Sequence, residues 1–323
     1  MKIPKVSVLM TVFNGGPYLY DSIKSILDQD FSDFEFVIIN DGSTDGSLDL
    51  IKKINDHRIK LYSIENGGLV KALNFGISKC QGDYIARMDS DDISHKSRIR
   101  LQKDFLDNNP DYSIVCSNVK IIDDFGKIVS TQVQNWTDGD QLLRGLLLET
   151  PFKPIIHPSV MLRKEVYHNL NGYREILYAE DRDFWLRSVK DYKLFRIQDF
   201  LLNYRIHSKG ISRDKVFIQM TSSIMAIINY KVKILYGKDI FNNYPHIYKK
   251  LHEKIFVEVC KDIKKTFESY NEVKKYYFEK RFLNILFVYV CFFILNFEIL
   301  NGDSVRKRII NIIDNNIGEI KDI

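Results

Sequence analysis

Four times within the first hundred residues, a short apolar run ends in a polar cluster and gives way to a segment with helical apolar spacing. The runs are 6–12 (Val-Ser-Val-Leu-Met-Thr-Val), 34–39 (Phe-Glu-Phe-Val-Ile-Ile), 59–64 and 84–88. The segments between them place Leu19, Ile23, Ile26 and Leu27, then Leu48, Ile51 and Ile54, then Leu69, Leu73 and Ile77 on single helical faces. Near-continuous apolar runs suit strands covered on both sides, and their alternation with helices predicts crossover units and parallel pairing. The predicted fold class is α/β, a mostly parallel sheet flanked by helices. Ligands of such sheets bind beyond the carboxyl ends of the strands, where this chain puts Thr11–Asn14, Asn40–Ser43 and Asp89–Asp92. The first of these continues as Phe13-Asn14-Gly15-Gly16-Pro17, which lacks the GxGxxG spacing of a dinucleotide site.

The fourth run is the most informative. Tyr84-Ile85-Ala86-Arg87-Met88 stops abruptly at Asp89-Ser90-Asp91-Asp92, with three carboxylates in four positions. On an extended backbone Asp89 and Asp91 would share a side. Two same-side carboxylates repel unless a cation lies between them, and hard oxygen ligands suit Mg²⁺ or Mn²⁺. The same residues also read as a solvated acidic turn, with Asp92 capping the next helix. Spacing alone leaves both readings open.

Thr11-Val12-Phe13-Asn14, Asn40-Asp41-Gly42-Ser43-Thr44-Asp45 and Met88-Asp89-Ser90-Asp91-Asp92, in this order and spacing, resemble the family 2 glycosyltransferases of the GT-A fold. The resemblance covers roughly the first hundred residues. It implies a Rossmann-like GT-A sheet, a nucleotide-activated sugar such as a UDP-sugar, Mn²⁺ or Mg²⁺ as cofactor, and transfer with inversion. By motif position it implies that Thr11, Phe13, Asn14, Asp41 and Gly42 hold the nucleoside, with Asp89 and Ser90 on the ribose side and Asp91 on the metal. Phe13 stands where the family usually has Tyr, so a contact from that hydroxyl is absent.

Further along, Asp123-Asp124-Phe125-Gly126 reads as a hairpin turn, and 155–163 (Ile-Ile-His-Pro-Ser-Val-Met-Leu-Arg) resembles the family's strand before the acceptor region. His157 there either faces the site or is a structural histidine. Tyr178-Ala179-Glu180-Asp181-Arg182-Asp183-Phe184-Trp185 predicts a helix whose first turn carries Glu180 and Asp181. Acids at that position commonly complement the helix dipole. The segment also resembles the family's Glu-Asp motif, which implies that Asp181 is the general base. Tyr204-Arg205-Ile206-His207 resembles the family's segment after the last strand. It implies His207 as a further metal ligand and Arg205 as a contact to the diphosphate.

Beyond Arg213 the chain changes character. Residues 213–323 hold 19 Lys and Arg against 13 Asp and Glu, whereas the preceding part holds 28 against 29. Long stretches without Gly or Pro (218–236, 247–270, 273–300) predict helices, and a basic tail favours anionic partners. The aromatic-rich stretch 282–300 has an uninterrupted apolar core of eleven residues (285–295), too short for a membrane span. Its basic flanks suit a helix at an anionic membrane surface; a buried helix and a homodimer interface are the competing readings. The expected division is a catalytic domain over 1–212, with a nucleotide-sugar half (1–118) and an acceptor half (119–212), and a C-terminal helical appendage over 213–323. Four scattered cysteines with no CxxC pair, and no signal-peptide pattern at the start, lead to the expectation of a cytoplasmic protein. The expected partners are a UDP-sugar donor and a glycan or lipid-linked glycan acceptor, without nucleic acid. A nucleotidyltransferase would need a basic Gly-rich loop early in the chain, and a non-catalytic scaffold would be expected to have lost an acidic motif; neither fits well.

Overall fold

The four apolar runs fold as strands at the positions their pattern predicts: β1 (Val6–Val12), β2 (Phe34–Asp41), β3 (Ile59–Ile64) and β4 (Tyr84–Met88). Between them lie α1 (Leu19–Leu27), preceded by a single 3-10 turn at Gly16–Tyr18, then α2 (Ser47–Lys52) and α3 (Leu69–Lys79). The computed structural model describes residues 3–133, 136, 139–147, 155–207 and 216–257. It divides them between two compact units. One takes Met1–Arg144, Pro154–Glu175 and Phe184–Ser208; the other takes Gly145–Lys153, Ile176–Asp183 and the chain from Lys209 onward.

The first unit holds the sheet. After β4 come the two-residue β5 (Ile93–Ser94), α4 (Arg98–Asn108), β6 (Tyr112–Ile122) and β7 (Ile128–Gln132). Past α5 (Gly139–Leu147), whose end from Gly145 belongs to the second unit, follow β8 (Met161–Arg163), α6 (Lys164–Asn169), α7 (Glu180–Ser188), whose start up to Asp183 also belongs to the second unit, and β9 (Lys193–Arg205). The strand order is β3-β2-β1-β4-β8-β6-β9-β5, with β7 paired to β6. Pairings β1–β2, β2–β3, β1–β4 and β6–β9 are parallel, while β8 runs antiparallel to both β4 and β6. The expected mostly parallel, helix-flanked sheet is what forms. β6 is one continuous strand, and the strand implied over 155–163 shrinks to β8, because Pro158 lies in a 3-10 turn at His157–Ser159. The 123–126 turn forms as a hairpin, with Gly126 N–H donating to the Asp123 carbonyl.

Alternation along β1 explains the two layers. Val6, Val8, Met10 and Val12 join Phe36, Ile38, Ile23, Ile26, Ile99 and Leu106 in one fully buried core. Burying each such side chain stabilises the fold by roughly 1.5–3 kcal/mol. Leu9 and Ile39 point the other way, towards α3, where Gly76 permits close approach. β4 enters the sheet through a tight junction. Gly82 N–H donates to Ser7 Oγ (2.8 Å), which itself donates to Glu35 Oε1 (2.6 Å). A Cβ on Gly82 would lie 2.6 Å from Ser7 N and 2.7 Å from the Val6 carbonyl carbon. These are backbone atoms of a buried strand and cannot rotate aside. Gly82→Ala is therefore expected to destabilise the protein by about 2–3 kcal/mol, read as a lower urea midpoint at unchanged slope.

In the second unit, the helix predicted over 218–236 forms as α8 (Val216–Tyr236), followed by α9 (Ile240–Asn243), whose Asp239 cap accepts from Asn242 N–H at 3.2 Å. No helix among the described residues is long and apolar enough to cross a membrane. The helix predicted over 273–300, with its aromatic-rich stretch, lies outside the described residues.

Candidate active site

The register sets Val12 beside Asn40 and Met10 beside Met88, so the loops after β1, β2 and β4 leave the sheet at one edge. Asn14 adopts a left-handed backbone (φ 51°), and its side-chain oxygen accepts from Thr44 N–H at 2.8 Å. Asn14 N–H in turn donates to Ser43 Oγ at 3.0 Å, which ties the first two loops together. Thr11 is buried, whereas Phe13 is exposed. Asp41 is buried, its carboxylate accepting from Gly67 N–H (2.8 Å) and Gly68 N–H (3.0 Å). Each oxygen keeps a second lone pair for a further donor. Gly42 has φ 68°, and a Cβ there would lie 2.8 Å from Asn66 N, so only glycine fits between the loops.

β4 ends at Met88, so the grouping of the acids comes from the loop and not from strand pleating. One carboxylate oxygen each from Asp89, Asp91 and Asp92 lies within 4.8 Å of the others. Asp92 does not cap a helix; α4 starts at Arg98 with Ser97 at its N-cap. Asp92 is instead fully buried, its Oδ1 accepting from Arg205 N–H at 2.8 Å and its Oδ2 having no hydrogen-bond partner. Burial, reinforced by Asp91 and Asp89, pushes its carboxyl well above the usual carboxylate range. An unpartnered buried oxygen beside two further carboxylates fits a hard divalent cation, which would take oxygens from these acids.

His207 Nε2 lies 2.8 Å from Asp91 Oδ2, within hydrogen-bond distance. Arg205 is buried, and its guanidinium faces the chain: Nε donates to the Asp91 carbonyl (2.8 Å), and Nη1 to the carbonyls of Asp123 (2.8 Å) and Asp124 (3.3 Å). It also stacks 4.4 Å over the Tyr18 ring, whose other neighbour is the His207 ring at 5.0 Å. Tyr18 OH donates to Asp124 Oδ1 at 2.7 Å, closing the bracket around the acidic loop.

Two arginines lie beneath the acids, both fully buried. Arg87 pairs with Asp89, and Arg98 donates to the carbonyls of Arg87 (2.6 Å) and Val160 (3.2 Å). Nothing in the sequence pattern singled out Tyr18, Arg87 or Arg98. An arginine in the alternation of 84–88 was the available signal, since a cation inside a buried strand needs a reason to be there. His157 is a buried residue with Nε2 2.7 Å from Tyr173 OH. In the second unit, Glu180 and Asp181 open α7 as predicted; Asp181 is buried, and its Oδ1 accepts from Arg182 N–H at 2.7 Å.

The sheet, with acids gathered beyond the carboxyl ends of its strands, is that of a ligand-binding α/β domain, and comparison with known proteins gives its family. Residues 7–170 match the glycosyl transferase family 2, and the chain belongs to that family. It is 34% identical over 218 residues to the O-antigen biosynthesis glycosyltransferase WbnJ of Escherichia coli, spanning 64% of this chain and 82% of that one. A hyaluronan synthase of Pasteurella multocida is 27% identical over 277 residues, although these make up only 28% of that longer protein. Among solved structures, S. aureus TarS 1-349 in complex with UDP-GlcNAc superposes with a TM-score of 0.57 at 22% identity, covering 71% of this chain and 66% of that one. The mannosyltransferase PcManGT from Pyrobaculum calidifontis, in complex with GDP-Man and Mn²⁺, gives a TM-score of 0.53 at 16% identity, covering 71% and 64%. The fold is that of these GT-A glycosyltransferases, and the chain is a glycosyltransferase.

Proposed function

We propose that the protein transfers a sugar from a UDP-sugar to a hydroxyl of a glycan acceptor, with inversion and with a divalent cation bound at the acidic loop. The observation that carries this reading is the gathering of Asp89, Asp91 and Asp92 at the carboxyl edge of the sheet, with Asp92 Oδ2 buried and unpartnered. Thr11, Phe13, Asn14, Asp41 and Gly42 line the nucleoside end, and Asp89 with Ser90 takes the ribose. Asp91 and His207, with Asp92 behind them, would hold Mn²⁺ or Mg²⁺. When bound, the cation supplies counter-charge to the diphosphate leaving group. Arg205 holds the acidic loop to the 123–126 hairpin through Nε and Nη1, and its Nη2 is the candidate contact to the diphosphate.

Asp181 acts as the base. It takes the proton of the acceptor hydroxyl as that oxygen bonds to the anomeric carbon from the face opposite the nucleotide. The bond from that carbon to the diphosphate oxygen breaks in the same displacement, so the configuration inverts. UDP is favoured over other nucleotides by the motif match and by TarS, which is bound to UDP-GlcNAc. N-acetylglucosamine and galactose are the first sugars to try, with a surface-polysaccharide or lipid-linked glycan as acceptor, the relative WbnJ being an O-antigen enzyme. The catalytic part occupies 1–212. The basic 213–323 region is the candidate for peripheral contact with an anionic membrane from the cytoplasmic side, or for a homodimer interface.

Calorimetric titration with UDP in Mn²⁺, and again in EDTA, tests the reading. Binding in Mn²⁺ that weakens about tenfold or more in EDTA is expected. Binding of GDP in place of UDP would change the donor assignment, and no nucleotide binding under either condition would overturn it.

A further inference from the structure

Arg87 is the last-but-one residue of β4, and its side chain is 2% exposed. A cation buried this deeply needs a fixed counter-charge. Its Nη1 donates to the Met88 carbonyl and its Nη2 to Asp89 Oδ1, while Nε has no hydrogen-bond partner. Arg98, buried as deeply, spends its donors on Gln102 Oε1 and the carbonyls of Arg87 and Val160. The guanidinium contact of the acidic cluster therefore falls on Asp89. Asp91 meets a histidine instead, and Asp92 a backbone N–H.

This asymmetry has a chemical consequence. A divalent cation approaching Asp89 meets one oxygen already occupied and a positive charge directly behind it. The same cation approaching Asp91 meets an oxygen bonded to the His207 imidazole, itself a metal-ligating group, and no guanidinium. We propose that Arg87 is a positioning residue that divides the work of the two acids. It withholds Asp89 from the cation and keeps the remaining Asp89 oxygen turned to the nucleoside, leaving the cation to Asp91, Asp92 and His207. The proposal rests on the nucleotide-sugar reading above and adds to it a reason why neighbouring, chemically identical carboxylates take different ligands.

The test is a pair of calorimetric titrations, with Mn²⁺ alone and with UDP at saturating Mn²⁺, on the wild type, Arg87→Met, Arg87→Lys and Asp89→Asn. In Arg87→Met the released Asp89 turns to the cation, so Mn²⁺ alone binds about three- to tenfold more tightly while UDP binds about tenfold or more weakly. Arg87→Lys keeps the charge without the two-pronged hold and gives the same opposite shifts at smaller size. Asp89→Asn loses UDP affinity with Mn²⁺ affinity unchanged. A purely structural role would weaken both ligands together, and that parallel loss, or no change in either, overturns the proposal. Should Arg87→Met fail to fold, Arg87→Lys decides: behaviour identical to wild type, or parallel loss of both affinities, overturns it. A wild type that binds neither Mn²⁺ nor UDP removes the nucleotide-sugar reading and the proposal together. A wild type that binds both, with Arg87 variants unchanged, removes the proposal alone.

Discussion

Asp91→Asn is expected to lower turnover by at least about a thousandfold, the equivalent of roughly 4 kcal/mol of transition-state stabilisation. The amide has nearly the same shape as the carboxylate and keeps an oxygen near His207 Nε2, now 2.8 Å from Asp91 Oδ2. The loop itself is held by other groups, the Arg205 Nε bond to the Asp91 carbonyl and the Arg205 N–H bond to Asp92 Oδ1. The substitution therefore removes one negative charge from the cluster and little else. Thermal unfolding should stay within a few degrees of wild type, while the EDTA-sensitive part of UDP binding disappears. Turnover close to wild type would show that Asp91 is not the cation's ligand.

Asp181→Asn is the second large effect, and it should separate from the first. An amide cannot take the acceptor proton, so turnover falls by about 10²–10⁴-fold, the usual contribution of a positioned general base. UDP-sugar affinity should remain within about twofold, because the residue is assigned to the acceptor and not to the donor. Asp181 accepts from Arg182 N–H within the first turn of α7, a bond the asparagine oxygen can keep. A parallel titration and rate assay on the two variants distinguishes a lost ligand from a lost base. Full activity in Asp181→Asn would remove the base assignment and leave the donor site intact.

Much of the sheet was legible because its cause is local. Buried parallel strands impose continuous apolar runs, and crossover helices impose the 3.6-residue spacing that Ile23 and Ile26 or Leu73 and Ile77 display. The carboxyl-edge rule then located the acidic loop before any coordinates. The packing of that loop was not legible, because its causes are distant in sequence. For Asp92 the sequence leaves a cation site and a helix cap open, and neither reading points to its observed partner, the backbone of Arg205. The bonds from Arg205 to the Asp123 and Asp124 carbonyls join residues more than eighty positions apart, and nothing in its own neighbourhood signals them. Tyr18 lies in a Gly-Pro-Tyr turn that carries no chemical signature, and only its ring contacts with Arg205 and His207 mark it. The strand that the family resemblance implies over 155–163 is shortened to β8 because Pro158 cannot donate to a ladder.

The tie between Asp92 and Arg205 joins residues 113 positions apart. Until β9 has docked beside β6 and β5, the acidic loop has neither its backbone donor nor its imidazole. Bringing such distant residues together costs the loop-closure entropy of the whole intervening chain. The site is thus complete only in the assembled sheet: β1 to β4 alone would hold Asp89 through Arg87 but leave Asp92 without its backbone donor and Asp91 without its imidazole. The contact from His207 to Asp91 lies beyond residue 170, where the match to the family model ends, so a fragment cut at that boundary would lose it.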